Sequence, residues 1–467
     1  MAKKRSKTKD TAAKSTESKN PGKKTANRAA WRTALQGLDI VDTFESILIR
    51  IVFAALAGTL LLAAVYMLPL EPIDRHVAAS AHIFAEEGEH PSVYEHFHSM
   101  LDNRTDALML LEAAHDGEGS VWRRAMLVRR GWTNEAETVT LTEHYLAGVP
   151  YRAVIPYGRY WHGYHLLLKP LLCILDYSGI RILNTVGQWS LLAAVLLLLA
   201  LKKRYGLIVP YLLTVLMLMP EVLSKSLEFT PCYYILSAGV VAVILKQDNL
   251  REHPDALRRW VLLFAWLGVA TSYFDFLTFP IATFGIPAVF WLNGQEERAP
   301  ETVLPRLAAL LGGWGVGYAG MWTGKWLIGS IITRASLLGE AADSIAYRAS
   351  HESLEKVLTG LAGNVSGFVR CPAAYAALAY LLILTVLFVR GGQFHRPYSR
   401  FHFRETFRRA LPYLLLALLP FLWYLAAAEH SGRHWYFTCK ALSVSALSLL
   451  CLFTELLAKR ESVQKVK

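Results

Sequence analysis

The sequence predicts an all-α polytopic membrane protein of about ten transmembrane helices, N-in and C-in, with a long helical first exterior loop. Three observations carry this expectation. Hydrophobic residues make up 54% of the 467-residue chain and charged residues only 18%, where soluble domains carry roughly a quarter. Apolar runs long enough to cross a bilayer recur between residues 46 and 460. Lys and Arg gather in alternate connections between those runs, as they do in cytosolic loops.

Residues 1–30 are rich in Lys, Ser, Thr and Ala and predict a disordered basic cytosolic tail. The net charge of the whole chain is +12, and +9 of it falls in residues 1–32. So much charge in a tail suits anionic headgroups and argues against nucleic acid as a partner. Residues 31–45 form a mildly amphipathic interfacial segment. The polar start is too long for the basic region of a signal peptide, so the first apolar run is expected to stay as an anchor.

The expected spans are 46–70, 180–201, 207–222, 229–245, 260–273, 277–292, 303–328, 372–389, 411–428 and 435–457. Together they make a transmembrane domain over 46–460, closed by a cytosolic tail at 461–467. The stretch 162–178 is apolar but short, and it holds Lys169, Pro170 and Asp176. It reads as a membrane-skimming helix. If it crossed fully, every later loop would change sides, and the basic loops 202–205, 246–259, 293–306, 390–409 and 458–467 would all face outward. The exterior side then receives loops 71–161 and 329–371 and the turns 221–228, 272–276 and 429–434. Helical patterning is expected at 74–87 and 92–112 within the first of these.

Five groups of polar residues fall on that side. Asp102 and Asp106 are four apart, so a helix presents them together, and a partly desolvated carboxylate there can serve as a general base. The run Tyr157 to His165 includes Arg159, Tyr160, Trp161 and His162, which suit sugar stacking and phosphate pairing. Asp275 lies between two apolar runs, where an acid is costly. Lys325 sits in an apolar segment between Trp322 and Trp326, and either snorkels to headgroups or pairs with Asp275 or Glu228. The last turn holds Glu429, His430, Arg433 and His434, and the turn before residue 229 adds Lys225 and Glu228. Ordinary structural roles compete at each place: a solvated helix face, an interfacial aromatic belt, a hairpin turn.

The five cysteines show no CxxC or metal-ligand spacing and read as packing residues. No P-loop, GxGxxG, HExxH or GxSxG context is present, which argues against cytosolic ATPases and Rossmann enzymes.

The layout resembles the GT-C type of membrane glycosyltransferases, in its cytosolic N-terminus, its number of spans and a long first exterior loop with acidic residues. That family places an acid early in this loop. Asp74 is nearest that position, with Asp102 and Asp106 further along. The runs around Tyr160-Trp161-His162-Gly163, Phe274-Asp275-Phe276 and His434-Trp435-Tyr436-Phe437-Thr438 also look like those of uncharacterised bacterial membrane proteins. The resemblance implies a bacterial cell-membrane enzyme that moves a sugar, with inversion, from a lipid-linked polyprenyl-phosphate donor to a glycan or lipid acceptor. Asp102 or Asp106 would be the base, and Lys325, Arg159 or Arg433 would meet the departing phosphate. No cofactor is required by this reading, and a divalent metal stays open. A transporter or flippase of lipid-linked saccharide, a polysaccharide polymerase and a non-catalytic scaffold are the alternatives.

Overall fold

The computed structural model describes residues 31–350, 353–390 and 403–464. The basic tail at 1–30, the middle of the basic loop 390–409 and the end of the C-terminal tail lie outside the described residues.

The described residues are mostly helical, with almost no sheet. Among them, five helices are long and apolar enough to cross a membrane: Ile40–Val65, Tyr177–Leu201, Leu227–Leu250, Phe407–Ala426 and Trp435–Thr454. A sixth candidate is a pair, Leu354–Val369 and Pro372–Leu387, bent by 79°. These helices are compatible with an integral membrane protein. Tyr205–Met217 and Ile281–Asn293 are shorter and apolar.

Some expected elements take another form. The apolar run at 207–222 breaks at Met219, whose φ is 57°, and Pro220 starts a short new helix as far as Lys225. Proline favours a helix start because its missing N–H is not needed there. The skimming segment contains one short helix, His165–Leu172. The segment 71–161 carries helices Leu70–Glu87 and Asn103–Ala114, but residues 92–100 are closed by a Ser92–Met100 bridge and are not helical. It also holds an unexpected antiparallel strand pair, Arg129–Trp132 against Ala153–Pro156, with Arg129 opposite Pro156 and Trp132 opposite Ala153.

Among the described residues there are two apolar cores. The larger lies among the long helices. The smaller joins Ile73, Val77 and Phe84 to Leu108, Leu111, Leu172 and Tyr177. Arg181 fastens the segment 71–161 to the helix Tyr177–Leu201. Its guanidinium donates to Glu87 at 2.8 and 3.0 Å, to Asn103 Oδ1 at 2.9 Å and to the Lys225 carbonyl at 2.8 Å. Such planar, multi-donor anchoring is what guanidinium geometry allows.

Helices Ala256–Phe274 and Pro300–Thr333 meet at glycine. A Cβ at Gly268 would stand 2.1 Å from the Trp314 carbonyl oxygen, and one at Gly317 would stand 2.2 Å from that of Ala265. Small residues permit this backbone approach. The first of these helices ends at Phe274, and Asp275 caps it.

Candidate functional site

Asp102 caps the helix Asn103–Ala114. Its Oδ1 accepts from the Thr105 N–H at 3.0 Å, and Oδ2 accepts from the Thr105 hydroxyl at 3.0 Å. An aspartate is favoured at this position because its oxygen meets an otherwise unpaired amide. Two further contacts reach it from far along the chain. The Tyr436 hydroxyl donates to Oδ2 at 3.0 Å, and the Asp102 N–H donates to the Ser226 hydroxyl at 3.1 Å, two residues before Glu228. Glu228 Oε2 is buried with no partner among the described residues.

Asp106 builds the turn that presents Glu228. It accepts from the Leu227 N–H at 2.8 Å, the Glu228 N–H at 3.1 Å and the Tyr177 hydroxyl. Burial lifts its carboxyl to about 7, against the pull of these donors and of Arg181. Both oxygens are therefore spent on holding the turn.

Asp275 stands at the head of the next turn, where it accepts from the Thr278 N–H at 3.1 Å and from the Thr278 hydroxyl. Burial lifts it to about 6 against those donors. His434 completes the group. Burial holds its imidazole near 4, against the attraction of Asp102, while Arg433, Arg348 and His90 press it further down. It is thus neutral near pH 7, and its Nδ1 has no partner among the described residues. Asp102, Glu228, Asp275 and His434 lie in four separate stretches of sequence, which the bonds from Asp102 N–H to Ser226, from Tyr436 to Asp102 and from His430 Nε2 to the Leu277 carbonyl join.

Beside them lies an apolar groove of about 360 Å³, lined by Leu277, Tyr318, Trp322, Trp326 and Trp423, with Arg159 and Arg348 on its wall. Arg348 donates to the Tyr160 hydroxyl at 2.7 Å. Arg159 donates to Glu340 at 3.2 Å and to the Tyr157 hydroxyl at 3.2 Å, and its guanidinium lies 4.5 Å from the centre of the Tyr157 ring. Arg433 donates to Tyr347 at 3.2 Å and lines a separate cleft of about 690 Å³.

Three sequence candidates lie elsewhere. Trp161 is fully buried and donates to the Met321 carbonyl at 2.7 Å, so neither face is open to a sugar. Lys325 is also fully buried and donates to the Met126 carbonyl at 2.9 Å, rather than to Asp275 or Glu228. His162 faces Glu112 and His165 in a third cluster.

The sequence reading passed over Glu112, Arg348 and the roles of His165 and Tyr436. Both His165 and Tyr436 lay inside the aromatic runs it singled out. Glu112 interrupts an otherwise apolar helix face, which is a readable signal. Arg348 carries none, because its helix Leu337–Arg348 looks like an ordinary amphipathic surface helix.

No known protein family, no curated protein and no solved structure matches this chain.

Proposed function

We propose that the protein is a membrane glycosyltransferase of GT-C-like layout, moving a sugar from a polyprenyl-phosphate-type donor to an extracytoplasmic glycan or lipid acceptor. The observation that carries this reading is a set of buried acids, Asp102 and Glu228, whose stretches are joined by the Asp102 N–H to Ser226 bond, together with an aromatic groove that has Arg348 and Arg159 on its wall. A lipid-linked sugar phosphate needs that combination: an apolar slot for the prenyl chain, cations for the phosphate, and a proton acceptor for the incoming hydroxyl.

In this reading the prenyl chain lies along Trp322, Trp326 and Trp423. Arg348 and Arg159 meet the phosphate, and Asp275 and His434 hold sugar hydroxyls. The acid pair carries one proton and takes a second from the acceptor hydroxyl. That oxygen forms its bond to the anomeric carbon as the bond from carbon to the phosphate oxygen breaks. The polyprenyl phosphate leaves with the electron pair, neutralised by the two guanidiniums. One displacement inverts the anomeric centre, by the same geometric logic as in single-displacement hydrolysis. The oxygens of Asp102 and Asp106 both accept bonds from their own turns, so the base role falls to the pair through Glu228 Oε2, which has no partner among the described residues.

We infer the ten-span, N-in arrangement as part of the same reading. The five long helices, the bent pair, the two shorter apolar helices and the close pair Ala256–Phe274 and Pro300–Thr333 supply ten segments. A bacterial cell membrane, with its polyprenyl carriers, is the setting that this chemistry suits.

The test uses purified protein in detergent with a radiolabelled sugar on a polyprenyl phosphate. Transfer or release of sugar by the wild type, lost in Asp102→Asn and Glu228→Gln, is the expected result. Intact donor moved across proteoliposome leaflets, with no bond cleaved, would instead make the protein a flippase.

A further inference from the structure

We propose that Glu112, His162 and His165 bind one divalent ion of the zinc class, tying the exterior helix Asn103–Ala114 to the segment that returns toward the membrane. The three side chains are completely buried, and their candidate ligand atoms all lie within 4.8 Å of one another.

The hydrogen bonding does not close among the described side chains. His162 Nε2–H donates to the Tyr157 carbonyl at 2.7 Å. That bond fixes the tautomer and leaves the Nδ1 lone pair facing inward, the usual outer-shell arrangement of a metal-bound imidazole. Nδ1 is 3.3 Å from Glu112 Oε2. The Tyr164 hydroxyl lies 2.6 Å from that same oxygen and 2.8 Å from Nδ1, but it has one hydrogen for two acceptors. A proton on His162 would settle that contact alone. Glu112 Oε1 and both nitrogens of His165 would still have no partner. An unpaired buried polar group costs about 1–3 kcal/mol, so leaving several together is expensive.

The distances suit an ion. Two ligands held about 2.0–2.1 Å from a tetrahedral metal stand roughly 3.3 Å apart. His162 and His165 are 3.3 and 3.7 Å from Glu112 Oε2. His162 has a φ of 56°, so a left-handed turn sets its ring back against the helix that follows. Two imidazoles and one carboxylate select zinc, cobalt or iron over magnesium and calcium.

The neighbouring charges press the same choice. Lys169 donates to the Ala113 carbonyl at 2.7 Å and Lys325 to that of Met126 at 2.9 Å, while Arg124 is close enough to act on Lys169. These cations oppose another positive charge, so only strong nitrogen ligation holds it. The Tyr66 hydroxyl, buried and without a partner among the described residues, lies on the His165 side and is available as a further donor atom.

The site is not the transfer centre. Glu112 is ten residues beyond Asp102, about 15 Å along the helix axis. Its role is structural, and its test needs no sugar chemistry.

Wild-type protein is purified in detergent without chelator, and its metal is counted by plasma mass spectrometry. About one zinc-class ion per chain is expected, falling at least tenfold in Glu112→Gln and His165→Ala and retained in His165→Cys, whose thiolate is a competent ligand. Cobalt added to stripped wild type should give the visible absorption of a tetrahedral site. A wild type that emerges empty and takes up neither zinc nor cobalt overturns the proposal, whatever the variants do. So does equal metal in well-folded Glu112→Gln. Either result leaves the transferase reading standing, because that reading places no step at this site.

Discussion

The Tyr436 hydroxyl donates to Asp102 Oδ2 at 3.0 Å, joining residues 334 positions apart. It connects the cap of the helix Asn103–Ala114 to the start of the last long apolar helix, which fixes Asp102 relative to His434, two residues before Tyr436. Tyr436→Phe removes that donor and keeps the ring. The expected loss is about 1 kcal/mol of stability, since one hydrogen bond nets 0.5–1.5 kcal/mol. On the transferase reading, kcat falls several-fold while the donor KM holds. Thermal melting and steady-state transfer, measured on one preparation, separate the two effects.

Arg348 should govern donor binding. Arg348→Ala deletes the guanidinium that holds the Tyr160 hydroxyl at 2.7 Å and faces the groove. A charge-assisted phosphate contact is worth about 1.5–3 kcal/mol, so the donor KM should rise roughly 10- to 100-fold. Arg348→Lys should restore only part, because an ammonium lacks the fork. Binding of an unreactive prenyl phosphate, measured with each variant, checks this directly. Unchanged affinity in Arg348→Ala would remove the phosphate from this end of the groove.

Asp106 gives the protein a pH signature. Its folded carboxyl is lifted to about 7 by burial, well above the ordinary aspartate value of 3.8. The folded state therefore holds this proton more tightly than the unfolded state does. Stability from this residue is fullest below pH ~4 and declines as pH rises toward ~7, where the folded group ionises. Asp106→Asn removes the titration. The difference in Tm between wild type and variant should shift against the wild type across that window and level off above it. A constant difference from pH 4 to 8 would contradict the assignment. At any pH, Asp106→Ala should be severe, because two backbone amides and the Tyr177 hydroxyl lose their acceptor.

Much of this arrangement was legible in the sequence, and the reasons differ by element. Long apolar runs such as 180–201 and 229–245 announce themselves by length, since nothing else in a protein needs so many consecutive apolar residues. Asp102, Asp275, Glu228 and His434 were readable as polar residues next to such runs. The bonds that join their stretches were not, because those depend on how helices pack. The strand pair at Arg129–Trp132 and Ala153–Pro156 was invisible for a simpler reason: four residues are too few to show an alternation. Trp161 and Lys325 show the opposite limit. They were picked out by composition, yet each is bonded to a backbone carbonyl inside the core, and nothing local in the sequence separates that from an open cavity.

The glycine contact between helices offers the sharpest mechanical test. At Gly268 an added Cβ would meet the Trp314 carbonyl oxygen at 2.1 Å, and backbone cannot swing aside as a side chain can. Helices Ala256–Phe274 and Pro300–Thr333 must part by about 1 Å to reach normal contact, and overpacking of that kind costs about 1–3 kcal/mol. The separation strains two bonds that lock the same layer, Trp314 Nε1 to the Thr283 hydroxyl at 3.0 Å and Thr271 to Thr283 at 2.7 Å. It also moves Asp275, which directly follows the first helix. A displacement near 1 Å at a reacting centre costs on the order of a hundredfold in rate. Gly268→Ala should therefore lower the Tm and, on the transferase reading, reduce transfer by more than the lost stability explains. Gly312→Ala is the control. It lies in the second helix with no atom near its added Cβ, so it should melt at or slightly above the wild type, since alanine is the better helix former by about 0.5–1 kcal/mol. Two variants melting together would mean that the helices are not held at glycine contact, and Asp275 would lose the support that sets its position.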